Sequence, residues 1–338
     1  MRQLYDTLAE LLPDPAFLFL NYGFADSSGD NGWIREEDRR YRYHLSLARH
    51  VLRGAEPAGK RVLEVGSGRG GNCYYLATYA GAHQVFGLEP SAGNLRLCAQ
   101  SGRCSNVRFV RGEAESLPFQ AEAFDLVLNL ESAHCYRDFG RFLLQTRRVL
   151  RPGGVFCFAD LWGWDLFDCD WQARERALAG GLFEITSSED IGGQVLQALQ
   201  DDTGLLATIG GMATPSNEHL VERILGGTEA LRQCLAEGRC SYRVWRLRKP
   251  ECETRSQGLA RGHFAQPDAF VQFLLDIAKD PDRLARLEID PDAELEATAL
   301  SPEEKAAIKS RDSEQVRKLL HSPPQDELPL LLAALLEF

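Results

Sequence analysis

Glycines, carboxylates and one histidine stand in this sequence at spacings that suit chemistry. Val62-Leu-Glu64-Val-Gly66-Ser67-Gly68-Arg-Gly70-Gly71-Asn72 runs from an apolar stretch into a glycine turn and then into helix-compatible residues. Glycines there let a ligand lie against the backbone where a Cβ would collide. Glu89, in Gly87-Leu-Glu89-Pro90-Ser91, can accept hydrogen bonds from a pair of hydroxyls. Gly112-Glu113-Ala114-Glu115-Ser-Leu117-Pro118-Phe119 offers a further acid beside an apolar wall. Asn129-Leu130-Glu131-Ser-Ala-His134-Cys135-Tyr136 carries a histidine. Its near-neutral pKa suits it to take the proton of an alcohol, a poor nucleophile until deprotonated. Asp160 directly follows the apolar run Val155-Phe-Cys-Phe-Ala159, where an acid can cap a following helix or serve a ligand. Cys135 is expected to be a packed thiol, since reactivity needs an electropositive setting.

These groups must be brought together by regular elements. Strands are expected at Arg61–Val65, Gln84–Leu88, Val107–Arg111, Phe124–Leu128, Gly154–Ala159 and Leu182–Ile185. Each of the first four is followed by turn residues and a helix-compatible stretch, the pattern of a doubly wound, mostly parallel sheet. Ligands of such sheets bind beyond the carboxyl ends of the strands, where the motifs above fall. Residues 187–238 read as helical, and Cys240–Lys249 alternates like a closing strand. Ahead of the sheet, Leu4, Leu8, Leu11 and Leu12 form a helical stripe ending at Pro13. Asn21–Trp33 is a loop by composition, and a second helix spans about Glu36 to Arg53.

The expected domains are a helical lid over 1–58, a ligand-binding α/β domain over 59–250, a linker over 251–266 and a small helical domain over 267–338. Within the last, helices are expected at Pro267–Lys279, Pro281–Leu287, Ser301–Ser310 and Asp312–Leu320. Ser301-Pro302-Glu303-Glu304 makes a strong helix start. Leu328–Phe338 is an apolar run.

The chain has 338 residues with 38 basic and 49 acidic side chains, a net charge of −11. Residues 251–338 hold 10 basic and 18 acidic residues, so most of the negative charge is in the tail. An acidic balance argues against nucleic acid as a partner. There is no secretion signal and no apolar run of membrane-spanning length, so a cytoplasmic protein without a membrane partner is expected. The nine cysteines include no Cys-x-x-Cys pair, and no metal site is expected.

Gly66, Gly68 and Gly71 also satisfy the dinucleotide pattern G-x-G-x-x-G, which alone leaves a nicotinamide cofactor and S-adenosylmethionine both open. Glu64 separates them, since a carboxylate there would sit poorly beside a pyrophosphate. The ordered set of motifs over about 60–248 resembles the class I S-adenosylmethionine-dependent methyltransferases. The resemblance implies a Rossmann-like, seven-stranded α/β sheet with its last strand antiparallel, and S-adenosylmethionine as cofactor. It implies cofactor contacts from Glu64, Gly66, Ser67, Gly68, Asn72, Glu89, Pro90, Gly112, Glu113, Ala114, Asn129 and Leu130. At Glu113 the family usually has Asp.

The His134 segment looks like that of small-molecule O-methyltransferases of natural-product biosynthesis, acting on sugars, polyketides and phenolic lipids. That likeness implies His134 as general base with Asp160 behind it, and methylation of a hydroxyl on a lipophilic or aromatic acceptor. Tyr22 and Phe24 from the loop, with Trp162 and Trp164 after the fifth strand, are expected to wall the acceptor; Phe167 and Trp171 lie nearby. C- or N-methylation, on a small molecule or on a peptide recognised by the C-terminal helices, is the alternative. The tail resembles the small helical domain related to the α subunit of protocatechuate 4,5-dioxygenase, which implies a binding or assembly module. A protein or peptide partner there, or a homodimer, is a corresponding expectation.

Overall fold

The computed structural model describes residues 2–14, 17–164, 169–211, 213–215, 217–251, 269–279, 283, 286–287, 289–296, 298–310 and 313–319. The near-continuous apolar run of β1 (Arg61–Val65) is buried from Val62 onward, as a central parallel strand must be. It pairs in parallel with β2 (Gln84–Glu89) on one side and β4 (Phe124–Leu130) on the other. Val62 stands opposite both Val85 and Leu126. With β3 (Val107–Arg111), β5 (Leu150–Trp162), β6 (Glu184–Asp190) and β7 (Ser241–Arg248), the order across the sheet is β3-β2-β1-β4-β5-β7-β6. Strand β7 is antiparallel to both neighbours. The strand order reverses between β1 and β4, so a crevice opens at their carboxyl ends.

Three expected strand readings change. The β3–β4 connection contains no helix; it folds through a single bridge between Glu113 and Ser116. Beyond it, Phe119 packs under the sheet on Phe86 and Phe124 rather than forming a ligand wall. Strand β5 runs through Trp162 because β7 pairs with it from Val155 onward. The sixth strand starts at Glu184 and extends to Asp190, register-matched to β7.

Helices α3 (Gly71–Thr78), α4 (Ala92–Ser101) and α5 (Phe139–Val149) follow β1, β2 and β4. Between β5 and β7 come α6 (Trp171–Ala179), α7 (Gly192–Asp201), α8 (Thr203–Gly211) and α9 (Glu218–Ala236). At the amino end, α1 (Arg2–Leu11) and α2 (Arg42–Val51, after a 3-10 turn at Glu36–Tyr41) flank the polar loop. Helix α1 is pinned on α4: Asp6 Oδ1 accepts from the Ser91 hydroxyl at 2.7 Å and the Gly93 amide at 3.0 Å. Leu8, Leu12 and Phe17 share a hydrophobic cluster with Ile209, Leu220 and Val221, so the amino-terminal segment and α8–α9 meet across the crevice.

Helices Ala269–Lys279, Pro291–Glu296, Pro302–Ser310 and Ser313–Leu319 bury a cluster of their own, including Phe270, Leu274, Ile277, Leu295, Ile308 and Val316. The Ser301 hydroxyl accepts the Glu304 amide while the Glu304 carboxylate accepts the Ser301 amide, a reciprocal cap. Most of the linker reading, most of Pro281–Leu287 and all of Leu328–Phe338 lie outside the described residues, as does Phe167. Among the described residues no helix is long and apolar enough to cross a membrane.

Candidate active site

A single cavity of about 1770 Å³ opens over the carboxyl ends of β1, β2 and β4. A site for one small molecule spans roughly 300–1,000 Å³, so this space suits two ligands. Its floor is the glycine turn. Gly66 and Gly68 have φ of +76° and +53°, and a Cβ on Gly66 would overlap the Ser132 side chain.

Around that turn the structure gathers Glu64, Gly66, Ser67, Gly68, Asn72, Glu89, Pro90, Gly112, Glu113, Ala114 and Leu130 on the cavity wall. Glu64 Oε1 accepts from Asn72 Nδ2 at 2.8 Å, and Oε2 accepts the Cys73 thiol at 2.9 Å. Burial pushes Glu64 up to about 7 against those bonds. Glu89 is fixed at the end of β2 by the amides of Gly68, at 2.9 Å, and Ser91, at 3.0 Å. Burial pushes it also to about 7. A hydroxyl-rich ligand that supplies donors would favour its charged form.

One expected cofactor residue is elsewhere. Asn129 is not among the residues of the cavity wall: its amide nitrogen lies within hydrogen-bond distance of Val65 O at 2.9 Å, Ser132 Oγ at 3.0 Å and the Tyr136 hydroxyl at 2.7 Å. It ties the end of β4 to the end of β1 and so shapes the turn that carries His134.

His134 sits on a short 3-10 turn, Ala133–Cys135, and lines the same cavity. Its Nδ1 lies 2.8 Å from Asp160 Oδ1, and its backbone amide donates to Asp160 Oδ2 at 2.9 Å. The Leu161 amide also binds Asp160 Oδ1 at 2.8 Å. The carboxylate is therefore held by three donors, two residues before the end of β5. Burial alone would pull His134 down, but the Asp160 charge and hydrogen bond hold it well above its ordinary value. Arg174 of α6 donates to the carbonyls of Ala133, at 2.7 Å, and Tyr136, at 3.1 Å, clamping the turn from behind. Cys135 borders the cavity and contacts the Tyr5 hydroxyl.

Of the four aromatics expected around the acceptor, Tyr22 and Trp164 line the cavity. Phe24 and Trp162 do not. Phe24 stacks on His50 at 4.2 Å in the core. Trp162 lies within β5, so strand alternation places it on the Phe158 face, against Trp245 at 4.7 Å and Trp171 at 5.3 Å.

Several residues carried no functional signal in the sequence and are gathered only by the fold. Tyr5, Leu8 and Phe17 from the amino end, Leu199 and Ile209 from α7–α8, and Leu220 and Ile224 from α9 form an apolar wall. Arg69 donates to the carbonyls of Leu8 and Phe17, bracing that wall on the glycine turn. Asn21 is a hub: its side chain donates to Asn72 Oδ1, accepts the Gly23 amide and pairs with His44 Nδ1 at 3.0 Å. Glu131, quoted in the motif but given no role there, also lines the cavity.

Fold and site together define a doubly wound α/β protein whose switch-point cavity can hold a cofactor on a glycine turn and a second ligand beside it. A family model described as a methyltransferase domain matches residues 63–158. A phthiotriol/phenolphthiotriol dimycocerosates methyltransferase of Mycobacterium ulcerans is 30% identical over 75% of this chain and 92% of its own. A fatty-acid O-methyltransferase of Mycolicibacterium smegmatis is 32% identical over 73% and 89%. A geranyl diphosphate C-methyltransferase of Streptomyces coelicolor, solved with S-adenosylhomocysteine, shares the fold with a TM-score of 0.54 and 18% identity, over 73% of this chain and 98% of that one. The chain belongs to the S-adenosylmethionine-dependent methyltransferases. The glycine turn, Glu89 and the size of the cavity fit that cofactor.

Proposed function

We propose that this enzyme methylates a hydroxyl of a lipophilic small molecule, with His134 as general base and Asp160 as its orienter. The observation that carries the reading is the His134–Asp160 pair on the cavity wall, 2.8 Å apart and buried. When bound, S-adenosylmethionine supplies a methyl group on a positively charged sulfur. The glycine turn and Glu89 would hold its nucleoside part, and Glu64 with Asn72 would serve its aminoacyl end. With Nδ1 given to the carboxylate, Nε2 of His134 is the nitrogen that exchanges the acceptor proton. Methyl transfer is an in-line displacement, so positioning and proton removal carry the rate. The raised pKa of His134 means that the neutral base grows in as pH rises.

The apolar wall of Leu8, Phe17, Ile209, Leu220 and Ile224 supports a lipophilic acceptor, as do relatives named for phthiotriol dimycocerosates and fatty acids. The same elevated imidazole favours a second reading, a carboxylate acceptor held by the imidazolium and needing no base. S-adenosylhomocysteine release, followed over a panel of long-chain alcohols, phenols and carboxylic acids, tests both. For a hydroxyl acceptor, His134→Ala should lower turnover by ~10²–10⁴ while leaving cofactor affinity intact. A variant at full rate removes the base. Rates that fall with pH and favour acids replace the first reading with the second.

A further inference from the structure

Among the acidic groups of the cavity that the mechanism leaves unused, Glu131 is the one tied to the strand ends beside the His134 turn. Glu131 is the first residue beyond β4 and adopts φ of +51°, a left-handed conformation unusual for a glutamate and characteristic of sites where the fold imposes a geometry. Its backbone amide donates to Ala159 O at 2.8 Å, locking it between the ends of β4 and β5. Its carboxyl receives the Tyr22 amide at 3.0 Å and the Tyr242 hydroxyl at 2.7 Å. Both bonds fall on Oε1, so Oε2 is the oxygen that Glu131 offers to the cavity it lines.

Charge bookkeeping fixes the state of that oxygen. Around Glu131 lie Tyr22, Tyr242, Asp160 and His134. The one cation among them, His134, is already engaged by Asp160. A second buried carboxylate beside Asp160 has no counter-charge, and a neutral acid is the favoured form. Since Oε1 accepts twice, the proton belongs on Oε2, which makes it a donor.

We propose that Glu131 is a hydrogen-bond donor for an acceptor-only oxygen on the substrate, so that the enzyme takes lipophilic acceptors bearing a carbonyl next to the hydroxyl that is methylated. The inference rests on the hydroxyl-acceptor reading above and deepens it. Burial holds the Glu131 carboxyl up at about 8, so the donor is present at neutral pH and is lost as pH rises beyond that value.

The test uses the full-length protein saturated with S-adenosylhomocysteine and two probes of equal chain length, a long-chain α-hydroxyketone and the matching 1-alkanol. Calorimetry at pH 7 should find the hydroxyketone bound about tenfold more tightly, the yield of one buried hydrogen bond. That preference should fade as pH passes about 8. Glu131→Gln keeps an oxygen for Tyr22 and Tyr242 and an N–H for the ligand, so the preference should persist and become independent of pH. Glu131→Leu should lose it, with S-adenosylhomocysteine affinity as the folding control. Equal binding of the two probes by the native protein overturns the proposal. So does a preference insensitive to pH, the signature of a carboxyl that only braces the Tyr22 loop. A Glu131→Gln protein without the preference overturns it as well. If neither probe binds, the lipophilic hydroxyl-acceptor reading itself fails, and the inference with it.

Discussion

The two halves of the cavity are built in different ways. The half we assign to the cofactor comes mainly from the ends of β1, β2 and β3 and from the turns and helix start that follow them, with all but Leu130 of its wall residues within 64–114. The half we assign to the acceptor collects Tyr5, Phe17, Tyr22, Glu131, His134, Trp164, Ile209 and Leu220, spread over more than two hundred positions. A nucleoside cofactor is met by backbone geometry that glycine and turn chemistry can specify locally. An apolar acceptor is met by side chains whose only common property is that packing turns them inward. One half of such an enzyme can therefore be read as a motif, while the other is a surface assembled by the fold.

The largest effect that would sharpen this contrast is on stability. Trp162→Ala should cost about 3–5 kcal/mol, because the ring fills a pocket between Trp171 and Trp245. Denaturant unfolding measures it, and the folded fraction should keep its acceptor range. Trp164→Phe, on the cavity wall, should do the reverse and move the acceptor KM. If Trp162→Ala alters selectivity without loss of stability, the boundary of the acceptor half is misplaced.

On the cofactor side, Glu89→Ala should weaken S-adenosylmethionine binding by ~1.5–3 kcal/mol, roughly 10–100-fold, while acceptor binding changes little. Unchanged cofactor affinity in calorimetry would take Glu89 out of the site.

Asp160→Asn should have a smaller effect on turnover than His134→Ala, and its signature is in pH. His134 is held above its ordinary value by Asp160, so the native rate should climb as pH rises through that elevated pKa. Without the carboxylate charge, burial dominates and the rising limb should move to lower pH. The same pair stabilises the fold fully below the unfolded histidine pKa of about 6.5, and that contribution is lost as pH rises through the folded value. A pH–rate profile identical in Asp160→Asn would detach the two residues.

The smallest expected effect concerns the carboxyl-terminal helices. We propose that they are a separate unit, because their buried side chains form their own cluster. A chain ending at Glu251 should keep its cofactor affinity within about twofold, since among the described residues none of the cavity wall lies beyond Thr228. An insoluble truncation would make those helices part of the methyltransferase core.

The sequence by itself determined the alternation of strands and helices, the glycine turn and the position of Glu89. Periodicity and turn residues are local quantities, and these features depend on little else. The pairing of His134 with Asp160 was expected only through the likeness to small-molecule O-methyltransferases, and the structure brings the two together because β4 and β5 are parallel neighbours with Leu130 opposite Ala159. Only the tertiary structure decided the rest. Trp162 and Phe24 are aromatics in the expected segments, yet the extra length of β5 and the stacking on His50 turn them into the core. Asn129 sits in the expected motif, yet its amide is consumed by Val65, Ser132 and Tyr136. Glu131 becomes a cavity acid because Tyr22 and Tyr242, 109 and 111 residues away, meet on one of its oxygens. Contacts at such separations are set by how helices and strands pack, and spacing along the chain carries no record of them.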